Sequence, residues 1–539
     1  MISRATLKPA ATVLAIGLAL FQIYFTAGFG VMDSQMLRVI HLGTVLTLVF
    51  IYLPPRKMKE GQTENPLWLL LDLVLICGAF WSAWFLVSDI DYYLERIRYI
   101  DPVSDKEVLA STVAVLLVLE ATRRVAGLPL VMVSGCFLAY GMLGQHLPGI
   151  LRHEGVSYKM LCEQLYLVTE GLYGIPLAVS STMIFAFVMF GCFLQNAGLG
   201  QVFLDLACVA TRRSKGGPAK VSVVASALMG MINGSALANV ATTGAITIPL
   251  MKKTGYKPEF AAAVEAVAST GGQFAPPIMG AVGFIMAEFL GVPYTKVMLA
   301  AAIPAFLYYL TLLMAVHFEA RKLGLKGLSP EHIPAAGKVL RERGHLFIPL
   351  IVLLWLMFDG YTPLFAAAAS IFATVGATWL PSLIGLLRTK TARTFAFVLL
   401  LAVLGGLALS GLLSLGAAIL TALCVLASAW CSARYRMTPR VVVQALDEGA
   451  RGAVGVGAAC VIIGIIIGTV SLTGLGLTFG YEVLKYVGEG QLYLGGLFVM
   501  IMSTILGMGV PGVAAYVIVA AVAVPVLTGV GVMPMAAHM

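Results

Sequence analysis

The chain has 539 residues, of which 60% are hydrophobic and only 11% are charged, and its mean hydropathy is +0.94. This composition excludes an ordinary soluble globular protein. The net charge of +9 does not indicate nucleic-acid binding, because the basic residues lie in short loops between apolar runs. Apolar runs of about 20 residues, the length that crosses a bilayer, recur throughout. We therefore predict an all-α polytopic membrane protein.

The first 150 residues contain five predicted membrane spans, near 9–32, 36–54, 67–88, 107–122 and 129–147. Basic clusters follow alternate spans, so the positive-inside rule predicts a cytoplasmic N-terminus. The first run resembles a signal peptide, but it lacks a clear small-residue cleavage site and is predicted to be a transmembrane helix. A polar stretch over 148–173 predicts the boundary between a small unit, 1–150, and a larger unit, 151–539.

The larger unit contains a repeat whose two copies are 276 positions apart. Recurring motifs pair Gly198-Leu199-Gly200 with Gly474-Leu475-Gly476, and Pro249, Gly255 and Pro258 with Pro525, Gly531 and Pro534. The flanking basic residues predict that the first copy, about 174–300, and the second, about 446–539, have opposite orientations in the membrane. Inverted repeats of this kind are typical of secondary transporters.

Two further expectations follow from the pattern of the larger unit. The apolar run from Phe395 to Trp430 is too long for one span and is predicted to cross twice, turning near Ser410-Gly411. The repeat offset places a counterpart of residues 271–277 at about 547–553, beyond Met539. We therefore expect that the C-terminal end of the second copy is missing from this chain.

Two stretches, Gly230–Gly244 and Glu265–Pro277, interrupt the apolar pattern with Gly, Pro, Ser, Thr and Asn. Gly-Gly followed by Pro-Pro is expected to unwind a helix, and free backbone carbonyls at membrane depth occur only where they are buried or line a cavity. Small-residue runs also allow close packing of transmembrane helices. Two broken stretches inside an inverted repeat favour a binding site, with a weaker counterpart at Gly507–Pro511.

Glu265 is an ionisable residue at predicted membrane depth and is a functional candidate for that reason. It either faces the site, one turn before Ser269, or pairs with a nearby lysine. A membrane-embedded hydrolase is disfavoured, because no H-E-x-x-H motif occurs and Ser235 has no suitable histidine partner. No P-loop is present, which disfavours an ATP-driven pump. A channel also uses broken helices and is the remaining alternative.

The segment from Asn233-Gly234-Ser235 through Ile248-Pro249 and Gly255-Tyr256 to Ser269-Thr270-Gly271-Gly272 and Pro276-Pro277 resembles the large membrane subunit of TRAP transporters. Two further segments, Tyr166 to Pro176 and Gly216-Gly217-Pro218-Ala219-Lys220, are similar to the fused subfamily that works with TAXI-type binding proteins. The resemblance implies an elevator-type fold with re-entrant hairpins, in which residues 1–150 correspond to the small membrane subunit.

The resemblance further implies a permease that is not an enzyme and that imports a small organic acid by Na⁺ symport across the bacterial inner membrane. A TAXI-like periplasmic binding protein would deliver the substrate. Membrane lipid is the other partner, with no nucleic acid, and Na⁺ is the coupling ion, with no cofactor. The implied ion-binding residues are Asn233, Gly234, Ser235, Gly271, Gly272, Pro276, Pro277, Gly509 and Pro511. The implied substrate-binding residues are Ser269, Thr270, Gln273, Asn239 and Thr242.

Overall fold

A computed structural model describes residues 4–56, 65–212, 214–325, 327, 335–386, 437–487, 492–507 and 510–539. The regular structure of these residues is entirely helical. The predicted double crossing over 395–430 and the predicted site residue Gly509 lie outside the described residues.

The described residues up to Thr211 form ten α-helices. Their bounds are α1 Arg4–Thr26, α2 Ser34–Tyr52, α3 Pro66–Val87, α4 Ile90–Glu95, α5 Asp105–Val125, α6 Leu128–Leu143, α7 Tyr158–Cys162, α8 Ile175–Val179, α9 Phe185–Asn196 and α10 Leu199–Thr211. A π-helical turn at Glu163–Leu167 follows α7. A second π-helical turn, at Ser180–Ile184, joins α8 to α9.

The remaining helices carry the broken stretches and the second copy of the repeat. Their bounds are α11 Gly217–Asn233, α12 Ala236–Lys253, α13 Pro258–Thr270, α14 Ala281–Leu290, α15 Tyr294–Lys322, α16 Ala336–Arg343, α17 Ile348–Phe358, α18 Pro363–Leu386, α19 Pro439–Thr473, α20 Leu475–Val487, α21 Leu492–Gly507, α22 Gly512–Gly529 and α23 Pro534–His538.

Seven helices of the described part are long and apolar enough to cross a membrane, or up to eight if the bent α22 counts as one span. An all-α polytopic membrane protein is therefore confirmed. The predicted end of the first span is wrong: α1 ends at Thr26, and Gly28, with φ +82°, begins the turn into α2. A left-handed glycine just beyond a helix is a common stop signal.

Helix α19 is the centre of the packing. It is 35 residues long and contacts α1, α2, α5, α6 and α9. Small residues allow this: a Cβ at Gly464 would lie 2.8 Å from the carbonyl carbon of Gly171, in the turn that precedes α8. Close backbone approach through small residues is the usual basis of helix association in membranes.

The two copies of the repeat have the same local structure. Gly198 and Gly474 both have a left-handed φ, and each begins a 13-residue helix, α10 or α20. Pro249 lies inside the 18-residue α12, and Pro525 lies inside the 18-residue α22. The same turns and proline positions thus recur at the 276-residue offset.

A buried ion-pair network fixes one end of the N-terminal helices. Asp72 of α3 pairs with Arg4 of α1 and, at 2.7 Å, with Arg124 of α5. Arg4 also donates to the carbonyl of Phe50 at 3.1 Å, and Arg124 donates to that of Leu53 at 2.9 Å, so both arginines occupy acceptors at the end of α2. Arg4 and Arg124, two of the basic residues that predict the topology, therefore lie at one end of this bundle.

Replacing Asp72 with Asn is expected to destabilise the fold by about 3–5 kcal/mol, because two buried guanidinium groups lose their shared carboxylate. Thermal unfolding of the detergent-purified protein measures the change. The matched control is Asp105→Asn, since the Asp105 side chain is 95% exposed and its partner Lys159 is also exposed. That pair should contribute no more than about 1 kcal/mol. Equal losses for both variants would contradict this account of the network.

Candidate functional site

The first broken stretch forms a helical hairpin between α11 and α12. Helix α11 ends at Asn233, and Gly234 follows with φ +60°, a conformation that L side chains rarely adopt. The Gly234 N–H donates to the Gly230 carbonyl at 2.9 Å, which closes the last turn. Ser235 then caps α12 by accepting the Ala238 N–H at 3.4 Å. The sequence Asn-Gly-Ser therefore stops one helix and starts the next within three residues.

The second broken stretch separates α13 from α14. Residues Gly271–Gln273 form a single 3₁₀ turn, and the chain is then irregular until Ala281. The Gly280 N–H donates to the Gln273 carbonyl at 2.7 Å and closes this loop. Pro276 and Pro277 lie inside it, joined by a cis peptide bond. The predicted unwinding at Gly-Gly and Pro-Pro is present.

The two broken stretches pack against each other through glycine backbones. A Cβ at Gly230 would lie 2.6 Å from the Gly272 Cα, and one at Gly280 would lie 2.7 Å from the Gly234 carbonyl oxygen. Such distances are closer than a real Cβ tolerates. The glycines therefore bring the hairpin tip directly onto the loop.

Four helix ends converge on this contact. The C-termini of α11 and α13 and the N-termini of α12 and α14 lie at this contact. The C-terminal ends present partial negative charge and the N-terminal ends partial positive charge. Helix α12 has the Ser235 cap, whereas α14 begins after Gly280 without a side-chain cap. The arrangement therefore places electrostatic environments for a cation and for an anion side by side.

The tip of the second copy reaches the same region. Pro511 precedes α22 without a side-chain cap. A Cβ at Gly512 would lie 3.1 Å from the side-chain amide carbon of Gln273, so the Gln273 side chain packs against the Gly512 backbone. Gln273, Pro511 and the first hairpin are thus neighbours, although they are far apart in sequence.

The side chains of the other predicted site residues differ in burial and in their hydrogen-bond partners. Asn233 has a buried Nδ2 atom without a hydrogen-bond partner, which leaves a donor at the hairpin tip. Asn239 is fully buried, and its Nδ2 donates to the Ser226 carbonyl at 2.7 Å. Thr242 and Thr270 are exposed, and each hydroxyl donates to the carbonyl four residues earlier. In this conformation the amide nitrogen of Asn239 faces α11.

Glu265 is fully buried in α13 and accepts hydrogen bonds from five hydroxyl groups. Ser222 donates to Oε2 at 2.6 Å, Ser226 to Oε1 at 2.8 Å, Thr247 to Oε2 at 2.5 Å and Ser269 to Oε1 at 3.2 Å, and Thr243 also donates to Oε1. The alternative of a lysine partner is wrong, because Glu265 forms no ion pair with any described lysine.

A spacing pattern in the sequence, separate from the motifs above, indicates this hydroxyl cluster. The six residues are three pairs at spacing i, i+4: Ser222 and Ser226, Thr243 and Thr247, Glu265 and Ser269. Residues four apart share one face of a helix. Three consecutive helices thus each present a polar pair, and the structure turns these faces toward one another.

Replacing Gly230 with Ala is expected to destabilise the protein by about 1–3 kcal/mol, because the new methyl group must push the Gly272 backbone away. Thermal unfolding in detergent measures this loss. The control is Gly135→Ala in α6, since a Cβ at Gly135 meets nothing within 4 Å. The control should be neutral or slightly stabilising, as alanine favours helix. A Gly230→Ala variant as stable as the control would show that the two stretches are not in backbone contact.

The chain matches the family model described as "Tripartite ATP-independent periplasmic transporter, DctM component" over residues 113–382 and 379–539. This match includes α11–α15 and both copies of the repeat. It covers well over half of the chain.

Curated relatives agree with this match. The chain is similar to the C4-dicarboxylate TRAP transporter large permease protein DctM of Vibrio cholerae, with 27% identity over 48% of the chain and 54% of the relative. It is also similar to the large permease DctM of Pseudomonas aeruginosa, with 29% identity over 34% of the chain and 43% of the relative. The sialic acid TRAP transporter large permease SiaM of Vibrio cholerae is 27% identical over 34% of the chain and 43% of the relative.

The chain spans about half the length, or less, of these curated relatives. The family match over residues 113–382 contains the hairpin, the broken loop and the helix ends that converge between them. On the family match, the chain belongs to the DctM family of components of tripartite ATP-independent periplasmic transporters.

Proposed function

We propose that this protein is the membrane permease of a tripartite secondary transporter that imports a small organic acid by Na⁺ symport. A periplasmic, TAXI-like binding protein delivers the acid, and the permease lies in the bacterial inner membrane with its N-terminus in the cytoplasm. Residues 1–150 act as the small membrane subunit, fused to the transport unit of residues 151–539. The two copies of the repeat, about 174–300 and 446–539, are inverted and form an elevator-type transport unit.

The convergence of four helix ends at the glycine contact carries this proposal. The C-terminal ends of α11 and α13 offer backbone oxygens and partial negative charge to Na⁺ near Asn233, Gly234, Gly271 and Gly272. The uncapped N-terminus of α14 offers N–H groups to a carboxylate. One small region thus favours both the coupling ion and an anionic substrate, as broken helices do in ion-coupled carriers.

Several side chains support the same placement. The Asn233 Nδ2 is buried without a partner and is available to a substrate oxygen. The Gln273 side chain packs against the backbone of Gly512, next to Pro511. Pro511 and Gly509 are the further proposed ion-binding residues. Ser269, Thr270, Asn239 and Thr242 are the further proposed substrate contacts, reached after the hairpin and loop adjust around the acid.

The relatives indicate the class of substrate. Their printed names specify C4-dicarboxylates and sialic acid, which are organic acids. We extend to this chain only the shared chemistry, a carboxylate on a small polar molecule. The proposed donors to this carboxylate are the Asn233 Nδ2 and the backbone N–H groups that begin α14.

The first test is uptake of a labelled carboxylate into proteoliposomes that contain the purified protein and a candidate binding protein. We expect uptake that saturates, that requires an inward Na⁺ gradient and that stops without the binding protein. Flux that rises linearly with concentration and needs neither Na⁺ nor a binding protein would instead indicate a channel.

The site residues are tested in the same assay with Ser235→Ala and Gly272→Val. Ser235→Ala removes the α12 cap, and Gly272→Val forces the loop from the hairpin, so we expect Na⁺-dependent uptake to fall at least tenfold for each. Gly135→Ala is the control and should transport normally, because its new methyl group contacts nothing. Unchanged uptake by both site variants, when incorporated at the wild-type level, would refute the site assignment.

A further inference from the structure

The proposed Na⁺ and substrate site assigns no role to the buried carboxyl group of Glu265. Among the described residues of the first repeat, this side chain nevertheless accepts the most hydrogen bonds. Its exposed fraction is 0%, and five hydroxyl groups on α11, α12 and α13 surround its two oxygens. An ionisable residue at membrane depth is costly and is normally kept for a function. A structural carboxylate in such a place would be expected to have a cationic partner.

The charged and titratable groups on every helix that packs against α13 are engaged elsewhere or lie at helix ends. Lys220 of α11 bonds to His317 at 3.0 Å, and Tyr308 and Tyr309 of α15 donate to the carbonyls of Val267 and Ala268. Tyr294, the first residue of α15, donates to the carbonyls of Pro277 and Ile278. The others on these helices are Lys252, Lys253, Glu259, Lys296, Glu319, Arg321 and Lys322. None of them bonds to Glu265 within the described part of the chain.

We propose that Glu265 is a proton-binding site, whose carboxyl group takes up and releases one proton while the surrounding hydroxyls redirect their hydrogens. The ligand is a proton rather than a metal ion. Most of the hydroxyl oxygens lie 2.5–3.2 Å from the carboxyl oxygens, and these are hydrogen-bond distances. A hydrogen therefore lies between the two oxygens of each of these contacts.

The hydrogen-bond geometry accommodates both protonation states. In the ionised state all five hydroxyls donate to the carboxylate. In the protonated state Oε2 donates its hydrogen to the Thr247 hydroxyl, and Thr247 donates instead to the Thr243 carbonyl, 3.0 Å away. The Thr243 hydroxyl can likewise donate either to Oε1 or to the Asn239 carbonyl, which lies 2.8 Å away. No buried donor or acceptor of this cluster loses its partner when the proton arrives.

The cluster is connected to both parts of the proposed site. Ser269, which bonds to Glu265, is two residues before Gly271, where the broken loop begins. Ser226 bonds to Glu265 through its hydroxyl and to Asn239 through its carbonyl, and Asn239 lies one turn after the hairpin tip. A change in the protonation of Glu265 therefore acts on the loop and on the hairpin. That this change is coupled to uptake rests on the proposed transport function.

Infrared difference spectroscopy tests the site directly on the purified full chain, without requiring transport. Between alkaline and acidic buffer, wild type should gain the C=O stretch of a buried protonated carboxyl group. This band should be lost in Glu265→Gln and kept in Glu259→Gln, a control on the same helix whose side chain is exposed. A folded Glu265→Gln protein with the wild-type carboxyl bands would overturn the proposal.

A second variant keeps the test decisive if Glu265→Gln does not fold. Ser226→Ala retains the carboxyl group and removes one donor to Oε1, the C=O oxygen of the protonated state. The band should persist in this variant and shift to higher frequency, because its C=O loses a hydrogen bond. A band at an unchanged frequency would not belong to Glu265 and would overturn the assignment.

Proteoliposome uptake with a pH-sensitive dye inside the vesicles tests the coupling. We expect an inward proton gradient to stimulate wild-type and Glu259→Gln uptake several-fold and to leave Glu265→Gln unaffected. Wild-type uptake that is Na⁺-driven but insensitive to the proton gradient would overturn the coupling alone. Wild-type protein that shows no uptake under any gradient would count against the proposed function, and the infrared result would still decide the proton site.

Discussion

The backbone contact between the two broken stretches is the constraint on which the site depends. In an apolar solvent, every helix break exposes N–H and C=O groups that water does not satisfy. Here the breaks at Gly234 and Gly271 face each other across glycine backbones, so each protects the other from lipid. Any side chain at Gly230, Gly272 or Gly280 would separate the two backbones. The glycines thus allow helix ends, with their partial charges, to meet at one point inside the fold.

Charge is compensated in two different ways in the described part of the chain. At one end of the N-terminal bundle, Asp72 is shared by two arginines, which together use the acceptors at the end of α2. These are full charges compensated by full charges. At the hairpin tip, by contrast, the described residues offer the partial charges of helix dipoles and backbone groups. The proposed site uses such partial charges, which hold an ion or a carboxylate without binding it irreversibly.

Much of this arrangement could be predicted from the sequence, because the decisive residues act on their own backbone. A repeated Gly-Leu-Gly predicts a repeated turn, and Gly198 and Gly474 both have a left-handed φ. Gly-Gly and Pro-Pro predict a break, which is present between α13 and α14. The predicted end of the first span was several residues too late. The apolar run continues past the glycine turn at which α1 ends. The position of a helix end is decided by the residues of a single turn. The presence of a membrane span is indicated by many residues and is therefore easier to predict.

What the sequence could not supply was the environment of Glu265, because that environment comes from three helices. Each i, i+4 polar pair alone is consistent with an ordinary helix face, and only the packing of α11, α12 and α13 shows that the three faces meet. The six side chains all belong to one copy of the repeat. A proton at this position therefore changes contacts inside a single group of helices, the same group that forms the hairpin and the broken loop. Because Ser226 and Ser269 lead from the carboxyl group to those two elements, the charge at Glu265 and the geometry of the helix ends cannot vary independently.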